Sequence, residues 1–137
     1  MADSPLITKS KEFALQIIKA CNEVKQNKKE SVLTNQLIRS GTSVGANIRE
    51  AFYGHGTADF IAKLQIALKE CSESEYWLEL LTESGYYDDK TILDKCIEVK
   101  KLLISSTFSN GGHARHILFS PTKRALPFFT RPFARFG

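Results

Sequence analysis

Long apolar runs are missing from this chain of 137 residues. No stretch approaches the roughly 20 consecutive apolar residues that a membrane-spanning helix needs. The opening Met1-Ala2-Asp3-Ser4-Pro5 has neither the basic start nor the apolar core of a secretory signal. These absences predict a cytoplasmic protein with no membrane partner. Proline is almost absent from residues 1–104, where only Pro5 occurs, and glycine is confined to a few positions there. Helices can therefore run without interruption. Acid is absent after Ser105, where Arg115, Lys123, Arg124, Arg131 and Arg135 stand without a single Asp or Glu.

That last absence accounts for the alkaline charge balance. The first 104 residues hold 14 Lys and Arg against 15 Asp and Glu, so the net +4 of the chain belongs to its end. Bulk charge on the main unit gives no reason to expect a polyanion partner. Pro121, Pro127 and Pro132 also fall after Ser105, with six of the nine phenylalanines. The chain thus divides into a folded unit, residues 1–104, and a basic, Phe- and Pro-containing tail, residues 105–137.

Apolar residues in the folded unit recur at steps of three and four, the helical period. A first helix starts between Ser4, with Pro5 at its first position, and Ser10, and carries Phe13, Ile17, Cys21 and Val24, widened by Ala14 and Ile18. A second, capped by Ser31, carries Leu37, Gly41, Val44, Ile48 and Ala51. Glycine on such a stripe costs about 1 kcal/mol against alanine. Gly41, with Gly45 one turn on, marks either a close helix crossing or a kink at Gly41-Thr42-Ser43.

Gly54-His55-Gly56 breaks the pattern and Thr57 restarts it. The third helix then places Phe60, Leu64, Ala67, Cys71, Ser74, Leu78 and Leu81 in alternating steps of four and three. Gly85 suits its left-handed end. Asp88 or Asp89 caps a fourth helix with Ile92, Cys96, Val99 and Leu103. Four helices on short connections predict an all-α fold, an antiparallel up-down-up-down four-helix bundle.

The third helix carries more apolar surface than one seam uses. Ile61, Ile66, Leu68, Tyr76, Trp77 and Leu80 lie off it, forming either a thick core face or a second contact face. Aromatic pairs such as Tyr76-Trp77 favour interfaces, so Ile66, Tyr76, Trp77 and Leu80 are the candidate self-association residues.

Catalytic and metal signals are sparse. Cys21, Cys71 and Cys96 each occupy a core step of a different helix, which suits small buried thiols. Their spacing does not match a metal site, and an odd count argues against disulfides. His113 and His116 follow Gly111-Gly112, which disfavours the helix a two-histidine ligand pair would need. Gly54-His55-Gly56 lacks the lysine of a phosphate loop. Glu70, Glu73, Glu75 and Glu79 could pair for acid–base work, but read better as the solvated outer face of a bundle helix, or partners for Lys63 and Lys69. The expectation is a protein without catalytic residues, metal or cofactor.

The runs Ser40-Gly41-Thr42-Ser43-Val44-Gly45-Ala46-Asn47-Ile48-Arg49-Glu50-Ala51, Ala58 to Cys71, and Tyr76-Trp77-Leu78-Glu79-Leu80-Leu81 closely resemble the bacterial four helix bundle protein family. That family includes proteins encoded in intervening sequences of 23S rRNA genes and the accessory variability determinants of diversity-generating retroelements. The resemblance spans Lys9 to Leu103. It implies an antiparallel bundle assembled as a ring-like homopentamer, without known enzymatic activity. Retroelement members bind nucleic acid and a reverse transcriptase through basic surface, so RNA or DNA and such an enzyme are the partners it implies.

On that footing Arg39, Arg49, Lys63, Lys69, Lys100 and Lys101 are the nucleic-acid candidates. Arg39, Ser43, Asn47 and Glu50 form one polar stripe, suited at least as well to an internal polar network or to salt bridges between subunits as to a binding site. The tail departs from the family pattern. It reads as an out-of-frame extension or as a genuine segment whose Arg and Phe stack on RNA or wedge into a membrane surface. The functional expectation is an oligomeric, nucleic-acid-associated scaffold; the alternative is a protein-binding adaptor that uses the surplus apolar face of the third helix.

Overall fold

The structure is a computed structural model that describes residues 4–110. The remainder of the basic tail, with His113 and His116, lies outside the described residues. Four helices make up the fold: α1 (Pro5–Lys28), α2 (Val32–Tyr53), α3 (Gly56–Glu83) and α4 (Thr91–Asn110). Sequential helices pack as neighbours, and α4 closes the square against α1. This is the antiparallel four-helix bundle that the periodicity predicts. The compositional boundary at Ser105 falls inside α4, which continues to Asn110 and buries Thr107 beyond it.

Local chemistry explains most of the helix ends. Ser4 Oγ accepts from Leu6 N at 3.1 Å, with Pro5 at the first helical position. Ser31 occupies the cap of α2 but makes no capping bond; instead the Glu30 carboxylate accepts from Leu33 N at 2.8 Å and Thr34 N at 3.0 Å. A longer acid one residue earlier thus neutralises the free amides that Ser31 was expected to serve. Likewise α3 starts at Gly56, one residue before Thr57, with His55 at the cap position and no side-chain cap bond. At the other end of α3, Gly85 takes φ 85°. Tyr86 N then donates to Leu81 O and Gly85 N to Thr82 O, the paired bonds of a glycine-terminated helix. Asp89 caps α4, accepting from Thr91 N at 2.9 Å and Thr91 Oγ1 at 2.6 Å.

The four apolar stripes meet in one core. Phe13, Ile17, Leu37, Ile48, Leu64, Leu78, Leu81 and Leu103 are all fully buried. Ile18 is not part of it; at 40% exposed it faces outward with Leu15, so the α1 stripe is narrower than its apolar residues suggest. All three cysteines are buried and free. Cys71 and Cys96 face one another across α3 and α4 with sulfurs 3.8 Å apart, each thiol aimed at the other's backbone carbonyl. Burial pushes the Cys21 thiol up to about 12. The contact with Cys71, and burial, raise Cys96 as well.

Gly41 lies at the α1–α2 crossing, where an added Cβ would meet the end of the Ile17 side chain. α2 is helical without interruption across Gly41, and the contact with Ile17 makes this glycine one of close packing. Gly45 is looser: its added Cβ would stand 3.4 Å from Ser10 Oγ, an ordinary contact. Gly41→Leu is therefore expected to lower stability by about 1–3 kcal/mol through overpacking. A urea melt matching the parent would remove Gly41 from the tight crossing. A second expectation follows from Cys21. Its folded thiol titrates above the unfolded one, so the stability this burial contributes is complete below about pH 9 and declines as pH rises toward 12. Urea melts at pH 8 and pH 10 should show a larger loss in the parent than in Cys21→Ala.

Candidate functional site

The surface charges expected to meet nucleic acid are mostly committed elsewhere. Arg39, on α2, reaches across to α3, where its guanidinium pairs with Glu70 at 3.2 Å and, in closer contact, with Glu73. Both carboxylates are buried, at 6% and 3% exposed. The acid pair is therefore not the solvated outer face that its spacing suggested. Carboxylates survive such burial only when a cation and further donors compensate them. Trp77 supplies one, its Nε1 donating to Glu73 Oε2 at 3.0 Å. Beside them Ser74 Oγ donates to Ser40 Oγ at 2.8 Å, fully buried between the same helices. Of the explanations for the polar stripe, Arg39 follows the internal network. Asn47 stays on its own helix, donating to Ser43 O.

Lys63 and Lys100 are paired too. Lys63 Nζ lies 3.0 Å from Glu50, and Lys100 Nζ 2.7 Å from Glu75, which raises the Lys100 pKa. Lys69 is half-buried. That leaves Arg49 and Lys101 exposed and without an ion pair among the described residues. The six candidates do not converge on one patch.

The candidate contact residues of α3 also separate. Trp77 is only 9% exposed and bonded to Glu73, so it belongs to its own chain's interior. Tyr76 is 48% exposed, its ring 5.2 Å from that of Trp77. Ile66 and Leu80 are half-buried. Leu68 is buried and drops out of the surplus face. What remains outward is Tyr76, with half-buried Leu80 one turn on, while Ile66 stands about 15 Å back along the helix.

A division of charge emerges that single residues do not reveal. Residues 4–53, which form α1 and α2, hold eight Lys and Arg against four Asp and Glu. Residues 54–110, which form α3 and α4, hold six against ten. The bundle is one basic layer on one acidic layer. No group of three or more His, Cys, Asp or Glu among the described residues is placed to hold a metal ion, and no described helix is long and apolar enough to cross a membrane.

Similarity to known proteins agrees with this architecture. The family model of the 23S rRNA-intervening sequence protein matches residues 3–105. Among solved structures, a protein of unknown function from the S23 ribosomal protein family of Bacteroides thetaiotaomicron is 47% identical, with a TM-score of 0.73. The alignment covers 74% of this chain and 97% of that one. No curated protein matches the chain.

The Arg39 cluster yields a specific expectation. Arg39→Met removes the guanidinium shared by two buried carboxylates and should cost about 3 kcal/mol, whereas replacing both acids as well, with Glu70→Leu and Glu73→Leu, should recover much of the loss. Unfolding followed by the fluorescence of Trp77, the only tryptophan, measures both. Equal losses in the single and triple variants would mean that the cluster contributes shape and not charge compensation.

Proposed function

The chain belongs to the 23S rRNA-intervening sequence protein family, and from that membership we propose that it is a non-enzymatic scaffold that assembles with copies of itself and holds RNA. The observation that carries self-assembly is the outward edge of α3. A tyrosine nearly half exposed, with half-buried Leu80 one turn on, remains on a helix whose core seam is already filled by α2 and α4. Apolar side chains at such a position gain by being covered, at about 25 cal/mol per Å². A ring of five copies is the assembly that the family resemblance implies, and it would repeat each small surface five times. Repetition converts weak contacts into useful affinity, which suits a bundle that is close to neutral overall. RNA is proposed in preference to a reverse transcriptase or other protein because the family takes its name from sequences that intervene in 23S rRNA.

Light scattering on the full chain should give a mass several times that of one chain, and Tyr76→Glu with Leu80→Glu should reduce it to the monomer. A filter-retention assay should capture a structured RNA at low salt, with affinity falling steeply as salt rises. A monomeric parent that retains no RNA even at low ionic strength would overturn this function. An assembled parent without RNA retention would favour the protein-binding adaptor.

A further inference from the structure

We infer that the outer surface of α1 and α2, where the start of α1 lies beside the end of α2, is a single-stranded RNA site, in which Lys11 and Arg49 meet phosphates and Tyr53 stacks on an unpaired base. The inference rests on the RNA reading above and deepens it by naming the face. Three observations carry it. First, the layer formed by α1 and α2 carries the positive excess and the opposite layer the negative one, so a polyanion is attracted to one side and repelled from the other. Second, Lys11 and Arg49 are exposed and make no ion pair among the described residues, whereas Arg39, Lys63 and Lys100 are neutralised by Glu70 and Glu73, Glu50, and Glu75. Free cations release counterions from a phosphate backbone; paired ones must first give up a carboxylate.

Third, Tyr53 closes α2 with 85% of its surface open, the most exposed of the large apolar side chains among the described residues. It stands four residues after Arg49, hence on the same side of the helix one turn away. Phe52 beside it is held edge-on against Phe60, with ring centroids 5.4 Å apart and planes at 85°. That contact anchors the end of α2 and leaves the Tyr53 ring to solvent. An open aromatic ring one turn from an unpaired arginine is the arrangement that single-stranded nucleic acid uses, with stacking on the base and charge on the backbone. A duplex offers no free base face, so loops and unpaired strands are preferred.

Exposed Leu15 and Ile18 on the same layer also suit a protein partner, which the test separates. The probe is an RNA hairpin with a single-stranded loop, bound to the full chain, with a blunt RNA duplex as comparison. The charge of the tail is common to every variant, so differences report the bundle. Lys11→Glu with Arg49→Glu should weaken hairpin binding about tenfold at low salt and make the salt dependence shallower by about two contacts. Lys90→Glu with Lys95→Glu, an equal change of charge on the acidic layer, should leave affinity within about twofold of the parent. Tyr53→Ala should lose about fivefold on the hairpin and little on the duplex, and Tyr53→Phe should retain the parent value, because stacking needs the ring and not the hydroxyl.

Equal losses from the two charge pairs would overturn the site and reduce binding to net charge, leaving the RNA function standing. Full affinity in Lys11→Glu with Arg49→Glu, accompanied by a smaller assembly in light scattering, would overturn it in favour of a contact between copies. A parent that retains neither RNA would remove the function together with its site.

Discussion

The α2–α3 pairing depends on one arginine. Arg39 lies over two buried carboxylates of the facing helix and pairs with both. Because Glu70 and Glu73 are one turn apart, the guanidinium can satisfy both only when α2 and α3 hold one axial register. Slippage by a residue would strand a carboxylate in the interior, at a cost of several kcal/mol. An apolar seam alone tolerates such sliding, since leucines pack against leucines at many offsets. The buried bonds from Trp77 to Glu73 and from Ser74 to Ser40 tighten the same register. A polar clamp of this kind suits specificity better than gross stability.

The clamp also decides what the surface can do. By drawing Arg39 inward, the fold removes the most central cation of α2 from any external contact. The pairs Lys63–Glu50 and Lys100–Glu75 remove two more. Among the described residues, Lys11, Lys19, Lys28 and Arg49 stay exposed and unpaired on α1 and α2, while the layer of α3 and α4 keeps an excess of acid. Function in a near-neutral bundle is then a matter of which charges the interior leaves behind.

The apolar seams were legible because a buried residue must recur with the helical period, whatever the partner helix contributes. Phe13, Ile17, Leu37, Ile48, Leu78 and Leu103 needed no further information. Gly41 was legible for the same reason, as a residue without a side chain on a stripe that demands one. Glu70 and Glu73 were not. Their compensating charge comes from a residue more than thirty positions earlier, and spacing along α3 cannot reveal it. The same blindness misassigned Trp77, whose burial depends on the acid beside it, and overcounted the free cations. Glu30 was missed for a local reason, because its long side chain reaches over Ser31 to the amides that a shorter cap would serve.

Self-assembly and RNA binding, as proposed, make different demands on one small bundle, and the layering accommodates both. The apolar edge proposed for contact between copies lies on α3, whereas the free cations and the open Tyr53 ring lie on α1 and α2. Burying the first does not require covering the second. The acidic layer serves a purpose in such an arrangement, because it discourages RNA from settling on the surface where copies meet and confines it to one side. A uniformly basic bundle would bind RNA more tightly in total, but without orientation. Dividing charge between layers gives up affinity per chain in exchange for direction, and assembly recovers affinity through repetition.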